Sequence, residues 1–307
     1  MKGLELAEAF FAEKGLPMLQ EKFPHLLDRI TAGLVGEGSE CLGFDDEISR
    51  DHDWGISFCM WLPEDLYKSE GPALSAAYNA LDFNYEGFSA RNVTAQGGGR
   101  TGVLETGSFY YRFIGLKEGP KTNMEWFYVQ ETSYATCTNG KLFYKSGSEF
   151  EKTRQRLLDF YPEDVRKKKI AARAVTMAQS GQYNYVRSLK RGEHVAVFLS
   201  MGEFIKATCS MIHLLNRRYM PFYKWAYRST CQCPKLADTA RKMENLIERP
   251  LDPKNADLVE EICIDVKNEL KRQGLTRLDY DFLEPHGMEI MSTIGDPKVR
   301  SLPVLYG

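Results

Sequence analysis

One stretch constrains this fold more than any other: Gly38-Ser39-Glu40-Cys41-Leu42-Gly43-Phe44-Asp45-Asp46-Glu47-Ile48-Ser49-Arg50-Asp51-His52-Asp53-Trp54-Gly55. A Gly-Ser pair is followed, after eleven intervening residues (40 to 50), by Asp-x-Asp and then an apolar run. The run Trp54 to Leu62 reads as a β-strand, and Ile30 to Val35 as a first short strand running into the Gly-Ser turn. Side chains alternate along a strand, so Asp51 and Asp53 share a face and His52 takes the other, where a structural role is expected. Two carboxylates side by side beside a glycine-rich turn make a hard-oxygen site of the kind Mg²⁺ prefers. The turn itself supplies backbone N–H groups and the Ser39 hydroxyl, which suit phosphate oxygens.

Two plainer accounts of the acids compete with this one. A calcium loop counted from Asp45 puts Arg50 where glycine is required and Ile56 where the bidentate glutamate belongs; counted from Asp51, it puts Ile56 and Leu62 there. A solvated polar turn is the usual fate of a charge cluster. Against it stand the Gly-Ser pair at its distance, the flanking strands, and the further acids Asp45, Asp46 and Glu47.

Around this motif the chain divides by period. Residues 3 to 14 and 16 to 28 read as two short amphipathic helices around Gly15, and Pro63 to Ala80 as a helix with an acidic first turn. Val103 to Phe113 reads as a strand, which rules out a dinucleotide fingerprint at Gly97, Gly99 and Gly102, since that motif needs a helix there. Thr138-Asn139-Gly140-Lys141 carries the Asn-Gly signal of a two-residue hairpin before a short strand, Leu142 to Tyr144. From Ser148 the period becomes helical, with helices expected at about 149–160, 163–180, 193–217, 235–247 and 255–273. In the third, Val195, Phe198, Leu199, Gly202, Ile205, Cys209, Ile212 and Leu215 form a stripe expected to be core. The fold class expected is α+β: a mixed sheet with flanking helices over 1–147, then a helical bundle over 148–307.

Composition narrows the function classes. With 43 % hydrophobic and 27 % charged residues the chain suits a globular protein, and no apolar run approaches a membrane span. The first fifteen residues lack a cleavable signal layout, and seven cysteines without framework spacing fit a reducing compartment, so a cytoplasmic setting is expected. Cys231-Gln232-Cys233 has no second pair at zinc spacing. A net charge of −2 disfavours, without excluding, a nucleic-acid partner. The only basic run, Arg166-Lys167-Lys168-Lys169, spreads over more than one helix face and reads as solvated.

The Gly-Ser and Asp-x-Asp segment resembles the active-site motif of the DNA-polymerase-β-like nucleotidyltransferase superfamily, which includes the kanamycin and lincosamide nucleotidyltransferases. The fuller form, Gly-Ser-x-x-x-Gly-x-Asp-x-Glu-x-Ser-x-Asp-His-Asp-Trp-Gly, looks most like a bacterial family of unknown function (DUF4037-type). Further segments carry that likeness: Thr138 to Tyr144, Arg154 to Pro162, Gln182-Tyr183-Asn184-Tyr185-x-Arg187, and Leu215-Asn216-x-x-Tyr219-x-Pro221-x-Tyr223-Lys224-Trp225. The resemblance runs from about residue 30 to about 290.

It implies a catalytic α/β half and a helical half with the active site in the cleft between them. It also implies two Mg²⁺ ions held by Asp51, Asp53 and a third carboxylate from a neighbouring strand. Glu105 is the first choice for that carboxylate and Glu131 its competitor. Gly38 and Ser39 would grip the triphosphate, Lys224 would neutralise the leaving pyrophosphate, and Tyr223 or Trp225 would stack on a base. Arg187, with Gln182, Tyr183 and Asn184, falls in a break between two expected helices where a polyanion or base could be read; a surface loop is the alternative.

The expected activity is transfer of a nucleoside monophosphate, AMP from ATP by default or from another nucleoside triphosphate, to a hydroxyl of a small-molecule acceptor. A protein side chain or an RNA 3′ end is the second acceptor class. A nucleotide-binding module without turnover is the non-enzyme alternative. Base preference, acceptor and oligomeric state are not legible in the residues.

Overall fold

A computed structural model describes residues 1–51, 54–91 and 99–307, and of Asp51 only the backbone. In chain order the elements are α1 (Gly3–Phe10), α2 (Leu16–Lys22), β1 (Thr31–Leu34), β2 (Cys59–Leu62), α3 (Glu64–Asn79) and β3 (Gly102–Glu105). Then come α4 (Thr106–Ile114), α5 (Asn123–Tyr128), α6 (Glu131–Thr138), β4 (Lys141–Tyr144), α7 (Glu149–Leu158) and α8 (Glu163–Met177). Helices α9 (Val186–Arg191), α10 (His194–Leu215), α11 (Tyr223–Thr230), α12 (Ala237–Glu248), α13 (Asn255–Arg272), α14 (Leu283–Ser292) and α15 (Pro297–Arg300) follow. The architecture is α+β, with one small mixed sheet and a predominance of helix. The chain forms two compact units, residues 1–119 with 133–159, and residues 120–132 with 160–307.

In the first unit the sheet order is β3-β2-β1-β4. β1 runs antiparallel to both β2 and β4, and β3 runs parallel to β2. All four residues of β2 are fully buried because both faces of the sheet are covered. Met60 and Leu62 point into a cluster with Leu6, Phe10, Leu19, Leu74 and Tyr78 from α1, α2 and α3. On the opposite face Trp61 stacks on Phe150 of α7, with ring centroids 4.0 Å apart, and meets Phe109 of α4 edge-on. Each such fully buried side chain contributes roughly 1.5–3 kcal/mol.

The expected strand Val103 to Phe113 is in fact β3 followed at once by α4. Glu105 explains the switch: its carboxylate accepts the Gly107 and Ser108 N–H groups, capping a helix whose aromatic residues suggest strand by propensity alone. Asn139-Gly140 is likewise no hairpin, but the turn from α6 into β4.

The second unit is helical, built around α8, which packs on α10 and α14. The break expected near Gln182 is filled by a π-helical segment, Ala178–Tyr185, that carries α8 into α9 without interruption. The side chains there are partly structural: Gln182 donates to Glu260 at 2.6 Å and accepts the Leu283 N–H at 2.9 Å. The expected core stripe of α10 holds only in its second half. Val195, Phe198 and Leu199 are exposed, and the buried face runs through Val197, Met201, Phe204, Thr208 and Met211. By length and composition α10 could cross a membrane, with mean hydropathy 1.5, yet half of that apolar window is buried inside the protein.

The largest departure concerns the basic run: Arg166, Lys168 and Lys169 are buried in the second unit. His286 is a core histidine, its ring bonded to Thr276 and to the Tyr280 carbonyl, each at 2.8 Å.

Candidate functional site

β1 ends at Leu34 and the chain turns through Val35-Gly36-Glu37-Gly38-Ser39. Gly36 and Gly38 have φ of 129° and 131°, a region closed to side-chain-bearing residues, and a Cβ on Gly38 would run into the Glu40 carboxylate. The turn is held from the next strand connection. Asn139 accepts the Gly36 N–H at 2.9 Å and donates to the Gly36 carbonyl at 2.8 Å, and the Gly140 N–H donates to the Cys41 carbonyl at 2.8 Å. The Ser39 carbonyl accepts the Leu42 and Phe44 N–H groups, while its hydroxyl caps nothing in the turn.

Behind the turn lies a buried ion pair, Glu40 with Arg91, at 2.9 Å and about 5 % side-chain exposure on either side. Burial pushes the Glu40 carboxyl up, and the Arg91 guanidinium opposes that shift. The second Arg91 nitrogen, Nη2, is buried with no hydrogen-bond partner among the described residues. Because β1 and β2 are antiparallel, with Gly33 opposite Cys59, the Gly36–Ser39 turn and the segment leading into β2 share one edge of the sheet.

Of the two aspartates, Asp51 has its backbone at the end of a short 3₁₀ turn, Ile48–Asp51, and Asp53 lies outside the described residues, as does His52. The neighbouring acids are committed to folding. Asp45 accepts the Gly3 N–H at 2.8 Å and the Trp54 indole N–H at 3.2 Å, and Asp46 accepts the Ser49 N–H at 3.0 Å. Arg50 lies over the Trp54 ring at 5.1 Å, which anchors the approach to β2.

Glu105 pairs in register with Leu62 at the C-terminal end of β2, and it lines the same cavity as Gly36 and Glu37. Both Glu105 oxygens are engaged by the start of α4, at 2.6 Å each. Its competitor Glu131 belongs to the other unit, buried, accepting Ser210 Oγ at 2.7 Å and the Met220 N–H at 3.1 Å.

A cavity of about 210 Å³ in the first unit is lined by Gly36, Glu37, Arg100, Glu105, Ser108 and Arg112 among others. Arg100 and Arg112 converge on Glu37, at 3.0 and 2.7 Å. Sequence reasoning missed these arginines, the Glu40–Arg91 pair and the Asn139 clamp. Only Asn139-Gly140 carried a signal, and its partner lies 103 residues away.

In the second unit Arg187 on α9 stacks over the half-exposed Tyr183 ring at 4.7 Å. Tyr223 and Lys224 open α11; Tyr223 is exposed, and the Lys224 ammonium sits 5.1 Å from the Trp225 ring centre. Both places present a cation beside an aromatic face, on separate helices. Asn216, by contrast, is a structural clamp: its side chain pairs with the Lys235 backbone on both sides, at 3.0 and 2.9 Å.

Residues 126–226 match the model of a family described as a domain of unknown function (DUF4037). That stretch takes in Glu131, α8, Arg187 and Tyr223-Lys224-Trp225, and supports a DUF4037-type family for it. No curated protein matches the chain.

Proposed function

We propose that the protein is a Mg²⁺-dependent nucleotidyltransferase that moves AMP from ATP to a hydroxyl of a small-molecule acceptor and releases pyrophosphate. The observation that carries this reading is the doubly left-handed Gly36–Ser39 turn. It is pinned by Asn139 and backed by the buried Glu40–Arg91 pair, at the sheet edge where the Asp51–Asp53 segment leads into β2. The Ser39 hydroxyl and the backbone N–H groups of Gly38 and Ser39 suit phosphate oxygens.

The donor set fits magnesium by its chemistry: Asp51 and Asp53 offer hard carboxylate oxygens and would hold two ions. Bound there, the metal would acidify the acceptor hydroxyl and offset charge on the α-phosphate and the leaving pyrophosphate. The backbone of Gly38 and the hydroxyl of Ser39 hold the triphosphate. The acceptor oxygen bonds to the α-phosphorus, the α–β anhydride breaks, and the hydroxyl proton passes to water. Lys224, Tyr223 and Arg187 are proposed to bind the nucleotide, the cation against phosphate and the rings against the base. Glu105 is left outside the metal set because its carboxylate caps α4.

The test uses purified protein, Mg²⁺, α-labelled ATP and a desalted host lysate with metabolites added back, beside an Asp51→Asn/Asp53→Asn variant. Label that depends on the aspartates and partitions with small molecules is the expected result. Label in protein or RNA fractions would replace the acceptor class. No aspartate-dependent label with any of the four nucleotides would leave a binding module without turnover.

A further inference from the structure

The cavity beside Gly36 has the make-up of a pocket for one small molecule. Its volume, about 210 Å³, is that of about seven waters at roughly 30 Å³ each. It lies below the roughly 300 Å³ at which pockets for drug-sized ligands begin, so it suits a compact organic molecule and not a whole nucleotide. Part of its wall is aromatic, with Tyr67 from α3 and Phe109 and Phe113 from α4. The polar part is Arg100 and Arg112 converging on Glu37. Apolar walls with a few convergent polar groups are the usual form of a ligand site.

The polar groups specify the charge of the ligand. One oxygen of Glu37, Oε2, serves two guanidiniums, Arg112 Nη2 at 2.7 Å and Arg100 Nε at 3.0 Å. The guanidinium of Arg112 is a planar fork of five N–H donors. Its other terminal nitrogen, Nη1, meets a neutral acceptor, the Gly99 carbonyl, at 3.2 Å. A ligand carboxylate exchanges that long bond to a dipole for a charge-assisted one, which is shorter and about twice as strong. The Arg112 side chain is 37 % exposed, so it is open to such a ligand, and its guanidinium carbon lies 5.4 Å from the Phe113 ring centre, which steadies the fork. Glu105, the other acid on the wall, is engaged by the Gly107 and Ser108 N–H groups.

We infer that this cavity is the acceptor pocket, and that the acceptor is a small hydroxy acid with an apolar or aromatic body. Arg112, with Arg100 beside it, binds the carboxylate, and the three rings flank the body. The pocket lies within the first unit, and Gly36 on its wall belongs to the turn assigned to the triphosphate. The acceptor role rests on the transferase reading, whereas the binding of the acid does not. In the transfer the acceptor hydroxyl oxygen bonds to the α-phosphorus, the bond from that phosphorus to the bridging oxygen breaks, pyrophosphate leaves with the electron pair, and the hydroxyl proton passes to water.

The test has a binding arm and a transfer arm. In the first, 4-hydroxybenzoate, mandelate and 3-hydroxybutyrate, each beside its neutral amide, are titrated calorimetrically into the full chain without nucleotide or Mg²⁺. At least one acid is expected to bind about tenfold more tightly than its amide. Arg112→Gln is expected to erase that preference with circular dichroism unchanged, and Arg112→Lys, which keeps the charge, to restore part of it. No preference for any acid, or a preference that survives Arg112→Gln, would overturn the pocket. Should Arg112→Gln fail to fold, NMR on the full chain decides: the acid is expected to shift the amide signals of Gly36, Arg112 and Phe113, and unmoved signals would overturn it. The second arm adds α-labelled ATP and Mg²⁺ to the tightest-binding acid. Label on that acid, absent in the Asp51→Asn/Asp53→Asn variant, is the expected result. Aspartate-dependent label on lysate molecules but not on the acid overturns the acceptor role and leaves the transferase standing. No aspartate-dependent label on anything overturns the transferase reading and the acceptor role with it, and the acid pocket is then judged by the binding arm alone.

Discussion

Arg91 reaches Glu40 across 51 residues of sequence, and both groups are out of water. Removing one partner strands a buried charge, whereas removing both leaves only a packing change. Glu40→Gln is therefore expected to lower unfolding stability by about 3–5 kcal/mol, and Glu40→Gln/Arg91→Met to recover much of that loss; urea unfolding of both variants checks it. Lys169 makes a pH prediction. Its folded pKa of about 8 lies below the unfolded value of 10.5, so from pH 8 to 10.5 the unfolded chain binds the extra proton and stability rises with pH. Below pH 8 the full cost is present, on the order of 3 kcal/mol. Buried thiols such as Cys59 and Cys137, pushed up to about 12, tilt the same window the other way. The readout is therefore the difference between wild type and Lys169→Met, whose advantage over wild type should shrink as pH rises from 8 to 10.5.

At the scale of elements, α7, α8, α10, α12 and α13 were legible because their apolar period and caps are local, with Ser148, Pro162 and acidic first turns where α7 and α8 begin, whereas α9, α11, α14 and α15 were not expected. Misreadings arose where one side chain outweighs a pattern. The aromatic run after Glu105 favours strand by propensity, and a carboxylate on two N–H groups turns it into α4. Replacing that cap by alanine should cost about 1 kcal/mol. Glu105→Ser keeps a capping oxygen without the carboxylate. It is expected to retain most of the stability in urea unfolding and to retain the transferase turnover proposed above, and loss of that turnover with an intact fold would return Glu105 to the proposed metal set. The stripe on α10 failed for a different reason. Periodicity finds an apolar face but not how many neighbours cover it, and Val195, Phe198 and Leu199 lie on the uncovered half.

At the scale of the whole molecule, the chain crosses between its two units at 119/120, 132/133 and 159/160. The short crossing segment gives the second unit Trp126, Phe127 and Glu131, which meet Tyr161, Lys169, Ser210 and the Met220 N–H. A fragment of residues 148–307 lacks all three. It is expected to melt at lower temperature and with less cooperativity than one joining 120–132 to 160–307, as calorimetry can compare. The sequence alone determined the α+β class, a strand on either side of the Gly-Ser turn, though β2 begins at Cys59 and not at Trp54, and the limits of the longer helices, since these depend on neighbours within a few residues. It also marked the turn and the aspartate pair, because their chemistry is written in residue type and spacing. Only the tertiary structure decided that Asn139 clamps Gly36, that Arg91 neutralises Glu40, and that α8 turns its cations inward beneath residues 303–307. Each joins groups tens to more than a hundred residues apart, and the balance of burial against charge that selects them exists only once the chain has closed on itself.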